Sequence, residues 1–143
     1  MADRVVLDAS VAVKWLVTEA YSEQAARLLD ADLTCIAPEL LFAEAANALW
    51  AMHRRGDIDN SDLAEAIDLL KSAPVGVPFS MRQLAASAAR LASDLDHPVY
   101  DCFYLALAVQ EQYPVITADG RFYQAVHAHP YLSDRMVHLK DVA

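Results

Sequence analysis

Four carboxylates interrupt stretches that otherwise look built for a core. Asp8 ends the apolar run "VVLD", Glu44 sits inside "PELLFAEAANAL", Asp101 leads into "CFYLALAV", and Asp119 comes directly after "VITA". Aspartate suits strands poorly, and a carboxylate without a partner is costly to bury. Each acid has an ordinary explanation when taken singly. Asp8 could be a turn residue, Glu44 part of a half-exposed polar stripe, Asp101 a first-turn acid favoured by the helix dipole, and Asp119 a cap for "GRFYQAV". Taken together, two acids at strand ends and two in apolar helices are expected to face one pocket. Carboxylates gathered there repel one another and raise their own pKa values unless a cation joins them. Oxygen donors without a thiolate or an obvious histidine pair point to Mg²⁺ or Mn²⁺ rather than zinc.

The elements that must position these acids are legible in the hydrophobic pattern. "RVVLD", "LTCIA", "PVITA" and a segment near "MVHLK" read as strands, and "VGVPF" as a short extended piece after Pro74. Between them, "SVAVKWLV", "SEQAARLLD", "PELLFAEAANALWAMHRRG", "NSDLAEAIDLLKSA", "SMRQLAASAARLASDLD", "VYDCFYLALAVQEQ" and "DGRFYQAV" read as helical. Ser10 is the expected cap of the first helix, and Ser80 and Gln83 have capping-box spacing. Pro38 starts the third helix, basic residues fill its last turn, and Gly56 stops it. Strands alternating with helices, and too continuously apolar to leave one face wet, predict a mostly parallel sheet in a three-layer α/β/α fold. Such sheets bind ligands beyond the carboxyl ends of their strands, where Asp8 and Asp119 fall.

At 143 residues, with no linker, repeat or low-complexity tract, a single domain over residues 1–143 is expected. The net charge of −9 argues against a protein that coats duplex nucleic acid, though several of those charges could neutralise one bound cation. Cys35 and Cys102 form no C-x-x-C pair, which fits a reduced cytoplasmic setting. Neither a signal peptide nor a membrane segment is expected. Three glycines leave no material for a Walker A loop or a G-x-G-x-x-G turn.

"VVLDASVAVKW", "PELLFAEAANAL", "YDCFYLALA" and "VITADGRF", in this order, resemble the motifs of PIN-domain proteins, specifically the VapC-type toxins of bacterial toxin–antitoxin pairs. The resemblance covers about residues 5 to 123 and implies a metal-dependent endoribonuclease of cytoplasmic location, cutting a structured RNA such as transfer RNA. It implies that Asp8, Glu44, Asp101 and Asp119 form the acidic set holding Mg²⁺ or Mn²⁺, with Asp8 and Asp101 the most direct ligands. Thr117 matches the family's hydroxyl position, and Ser10 and Asn47 match small polar residues that support the site. Cys102 stands where the family frequently has alanine, a departure that leaves the acids untouched. The resemblance further implies a homodimer and a cognate VapB-type antitoxin whose C-terminal segment blocks the acidic pocket.

Lys14 and Arg121 read first as solvated surface cations, and stand near enough to Asp8 and Asp119 to be candidates for holding an RNA phosphate. The aromatic residues around "DCFY" and "GRFY" are candidates for base stacking or for the core. "LLFAEAANALWAMH", with Phe42, Trp50 and Met52, has more apolar positions than one buried face needs, consistent with an interface between copies. Two other functions fit acids of this kind. A phosphohydrolase of small phosphoesters usually carries a second aspartate two residues after its nucleophile, where this chain has Ser10. A PIN-like module that only binds partners would be favoured by loss of an acid, and all four are present.

Overall fold

The computed structural model describes residues 4–142; residues 1–3 and 143, the ends of the expected domain, lie outside them. Within the described residues five strands form one parallel sheet: β1 (Arg4–Leu7), β2 (Thr34–Ile36), β3 (Val75–Gly76), β4 (Val115–Thr117) and β5 (Met136–His138), in the order β3-β2-β1-β4-β5. The register aligns Val6 with Ile36 on one side and with Val115 on the other. From the central β1 the chain works outward to β3, then returns to lay β4 against the other side of β1. That reversal makes the carboxyl ends of β1 and β4 the place where an open sheet forms a crevice.

Among the described residues seven α-helices cover the sheet in the expected three-layer arrangement: α1 (Ala9–Leu16), α2 (Ser22–Asp30), α3 (Leu40–Arg54), α4 (Asn60–Lys71), α5 (Met81–Leu95), α6 (Val99–Glu111) and α7 (Gly120–His127). Helix α6 is the most deeply set, with Cys102 and the whole run Tyr104–Ala108 buried. It packs against β1, β4 and α5, so an apolar sequence all round is what its position demands. Helix α3 buries only Leu41, Ala45 and Leu49, one side of its cylinder. Glu44 is therefore at the margin of the core rather than in it.

Several local signals are realised as read. Both hydrogen bonds of the Ser80/Gln83 capping box are made, and Gly56 ends α3 with φ of 86°, a conformation that favours glycine. Helix α4 carries a second capping box, built from Asp59 and Asp62. One reading is corrected. Ser10 does not cap α1; it lies inside the first turn, and Asp8 occupies the cap position in an extended conformation. The Asp8 carbonyl accepts from Val11 and Ala12 and so starts the helix, while its N–H donates to Ile116 O at 3.1 Å and extends the β1–β4 pairing. The Asp8 backbone thus closes strand and helix together, and its carboxylate makes no capping bond.

The surplus of apolar residues on α3 is mostly absorbed by the fold. Phe42 and Met52 pack partly buried against the core, whereas Trp50 is half exposed with Arg54 5.4 Å from its ring. Cys35 and Cys102 are buried free thiols. Burial pushes Cys102 up to about 11, and it fills space much as alanine would. Among the described residues no helix is long and apolar enough to cross a membrane.

Candidate active site

Asp8, Glu44, Asp101 and Asp119 line a single cavity of about 180 Å³, together with Ser10 and the small apolar side chains Ala9, Val13 and Ala48. Four elements deliver the four acids: the β1–α1 junction, the middle of α3, the first turn of α6 and the β4–α7 junction. Among the described residues no basic side chain lines the cavity.

Each acid is tethered through one carboxylate oxygen. Asp8 Oδ2 accepts from Ser10 Oγ at 2.6 Å and from Thr117 Oγ1 at 2.8 Å. Glu44 Oε1 accepts from the buried Tyr104 hydroxyl at 2.6 Å. Asp101 Oδ2 lies 2.7 Å from His97 Nε2. Asp119 Oδ1 accepts the backbone N–H groups of Arg121 and Phe122, so this residue does cap α7. The second oxygen of each acid, Oδ1 of Asp8 and Asp101, Oε2 of Glu44 and Oδ2 of Asp119, takes no hydrogen bond among the described residues. None of them is a sealed, unpartnered atom, so each has access to open space.

Ser10 and Thr117 tie the two strand ends together. Ser10 Oγ accepts from Ala118 N at 2.9 Å, and Thr117 Oγ1 accepts from Asp119 N at 3.0 Å while both hydroxyls donate to Asp8. One carboxylate oxygen on β1 thereby fixes the turn that presents Asp119 beyond β4.

The electrostatics are those of acids held together without a counter-charge. Burial pushes Asp8 up to about 7; its two hydroxyl donors pull it down, and the charges of Asp101 and Glu44 push it further up. Glu44 and Asp101 are raised as well, first by burial and then by the other acids, against the opposing pull of Tyr104 and His97. Four unengaged carboxylate oxygens and no thiolate make a donor set suited to a hard divalent cation. Among the described residues no three such side chains are drawn together to metal-binding distance, so the acids surround the space rather than close on one point.

The four predicted acids, Ser10 and Thr117 therefore share one neighbourhood. Asn47 does not join them. It is exposed on the wall of an adjoining cavity of about 340 Å³ lined by Leu40, Ala43, Glu44, Ala48 and Tyr100, which shares Glu44 and Ala48 with the acidic one. The reading of Lys14 as a solvated surface cation is corrected: its side chain is about nine-tenths buried, and its ammonium is already paired with Glu19 at 2.9 Å. Arg121 is exposed and makes no ion pair among the described residues. Of the aromatic candidates, Tyr104 and Phe122 are fully buried and Tyr100 is 62% exposed. Sequence reasoning missed His97, and it did not assign Tyr104, one of the aromatic candidates, to Glu44. His97 stands four residues before Asp101, and that spacing is the signal that could have found it; Tyr104 bonds Glu44, sixty positions away, for which the local sequence carries no signal.

A parallel sheet whose first and fourth strands end in carboxylates over one cavity defines a class of α/β proteins with an acidic site at the topological switch point. Residues 5–127 match the sequence model of the PIN domain, and the chain belongs to the PIN domain family. No curated protein matches the chain in sequence. Its fold is similar to that of PAE2754 from Pyrobaculum aerophilum, with a TM-score of 0.67 at 18% identity over 98% of this chain and 86% of that one. It is similar to the Mycobacterium tuberculosis toxin VapC20, described as cleaving the sarcin–ricin loop, with a TM-score of 0.64 at 17% identity over 85% of this chain and 94% of that one. It is also similar to a chain of a toxin–antitoxin complex from Klebsiella pneumoniae, with a TM-score of 0.63 at 13% identity over 94% and 97% of the two chains.

Proposed function

We propose that this PIN-domain chain is a VapC-type toxin, an endoribonuclease dependent on Mg²⁺ or Mn²⁺ that hydrolyses phosphodiester bonds of a structured RNA such as transfer RNA. The observation that carries the reading is the arrangement of the acids. Four carboxylates from four elements meet at one cavity, and each is tethered through one oxygen with the other left unengaged. Asp8, Asp101, Asp119 and Glu44 hold the cation, Asp8 and Asp101 most directly. A bound divalent ion supplies charge relief for the phosphodiester and lowers the pKa of water.

The chain's own residues do the rest. Ser10 and Thr117 fix Asp8, whose position then sets the turn carrying Asp119. Arg121, free of ion pairs among the described residues and next to Asp119, reaches a phosphate of the bound strand. Tyr100, exposed on the adjoining cavity, offers a face on which a base stacks. With no cation among the side chains lining the acidic cavity, a polyanion gains nothing electrostatically from that pocket until a metal ion enters it.

The same charge pattern suits a VapB-type antitoxin. A basic side chain from its C-terminal segment would find unengaged carboxylate oxygens and make charge-assisted bonds in the ion's place. Two of the similar folds are described as a toxin and as a toxin–antitoxin complex, which supports this partner. A homodimer through the half-exposed Trp50 side of α3 completes the proposal.

The test is cleavage of a total RNA pool, transfer RNA included, by the purified chain with Mn²⁺, beside an Asp101→Asn variant prepared identically. Cutting at discrete sites by the wild type alone, abolished by chelator and restored by Mn²⁺ or Mg²⁺, is the expected result. Cutting that persists in chelator, or equally in Asp101→Asn, refutes the assignment. Mn²⁺ binding without RNA cleavage shifts the reading to a small phosphoester substrate or to a module that only binds partners.

A further inference from the structure

His97 is not among the acids and does not line their cavity, yet it holds one of them. Its Nε2 lies 2.7 Å from Asp101 Oδ2, and a carboxylate can only accept, so Nε2 carries the proton. The turn bearing His97 is constrained on both sides. Asp96 ends α5 with φ of 50°, the His97 N–H closes onto Ala92 O at 3.1 Å, and Pro98 stands at the cap of α6. The imidazole stacks on the fully buried ring of Phe122, with centroids 5.4 Å apart and planes 15° from parallel. Its side chain is only 12% exposed.

Phe122 connects this histidine to a second acid. The Phe122 N–H donates to Asp119 Oδ1 at 3.3 Å, while the Phe122 ring braces His97. Asp101 on α6 and Asp119 ahead of α7 are thus linked through two residues, by the Phe122 backbone on one side and by its ring and the His97 imidazole on the other. The His97–Phe122 stack therefore couples the two acids directly, in addition to the packing of α6 and α7 on β4.

We propose that His97 is a positioning residue for the divalent-cation site: it pins Oδ2 of Asp101 and so presents Oδ1 to the cavity before any ion arrives. The proposal rests on the metal-dependent reading above and adds a residue to it. A carboxylate left free to rotate must be ordered when it binds the ion, and groups that orient a ligand in this way typically change metal affinity by about 10- to 100-fold. His97 acts through Asp101 and touches neither RNA nor the ion.

Two substitutions separate the hydrogen bond from the ring packing. His97→Gln keeps an N–H donor that can reach Asp101 and loses the stacked ring, and His97→Phe keeps a ring against Phe122 and loses the donor. Mn²⁺ binding to the full chain is read from the loss of the free-ion signal in electron paramagnetic resonance, with circular dichroism confirming that both variants fold. The expected result is that His97→Phe binds Mn²⁺ at least about tenfold more weakly than wild type while His97→Gln stays within about threefold. Wild-type affinity in His97→Phe overturns the proposal, and so does a His97→Gln variant as weak as His97→Phe, which would make packing the cause. A wild type that binds no Mn²⁺ overturns the metal reading itself and this proposal with it, an outcome distinct from the other two.

Discussion

Replacing Asp8 with asparagine should stabilise the metal-free protein while removing its activity. Asp8 is 5% exposed, and burial with like-charged neighbours pushes it from an ordinary 3.8 up to about 7. A folded-state pKa above the unfolded one means that the folded chain holds its proton more tightly. The carboxyl therefore adds no penalty below about pH 4, and its destabilising effect grows as pH rises through the window from about 4 to about 7, then levels off. A shift of that size corresponds to at most about 4 kcal/mol above pH 7, and relaxation around the charge brings the expected gain to roughly 2–4 kcal/mol. Both hydrogen bonds that Asp8 accepts fall on one oxygen, Oδ2, so the single carbonyl oxygen of asparagine can accept both. The assay is thermal unfolding of the two proteins in chelator at about pH 4.5, 6 and 8. Asp8→Asn should melt higher by roughly 5–15 °C at the highest pH, with the gap shrinking towards the lowest. Adding Mn²⁺ should reverse the order at saturating concentration, because a ligand that binds only the folded wild type stabilises it, by about 4.1 kcal/mol at a thousand times its Kd. A variant less stable than wild type at every pH, or more stable by the same amount at every pH, would refute the electrostatic account of this carboxylate.

Tyr104→Phe keeps the ring of a fully buried side chain and deletes the donor to Glu44; it should cost about 1–3 kcal/mol in thermal unfolding and reduce RNA cleavage through a less fixed Glu44. Arg121→Ala removes an exposed cation next to Asp119 but keeps the backbone N–H that Asp119 caps, so KM for RNA should rise severalfold with the melting temperature within about a degree. Ser80→Ala breaks a capping box far along α5 from the acids, and its expected signature is the converse, a loss of about 0.5–2 kcal/mol with kcat and KM unchanged.

The acids could be found in the sequence because each stands against its own local pattern: Asp8 stops an apolar strand, Glu44 breaks an apolar helix face, and Asp101 and Asp119 flank segments that are otherwise core. Periodicity also gave the alternation of strands and helices, and hence a parallel sheet with a crevice at its strand ends. Local signals were less reliable where a side chain had a choice of partners. Ser10 has the type and position of a helix cap, yet in the fold its hydroxyl reaches across to the Asp8 carboxylate and the Ala118 N–H, bonds that exist only because β1 and β4 are neighbours. Lys14 has the position of a phosphate contact, and Glu19, five residues on, claims it first.

What the sequence by itself determined was which groups carry charge and which segments are strand or helix, since composition and period act over a few residues. The tertiary structure decided what each carboxylate does with its two oxygens. Tethering Glu44 takes a hydroxyl sixty positions away, and tethering Asp8 takes one more than a hundred positions away. The contact of His97 with Phe122 likewise depends on where the turn between α5 and α6 meets α7. A hydrogen bond is made or lost within a few tenths of an ångström, and only the packed sheet and helices set separations that finely.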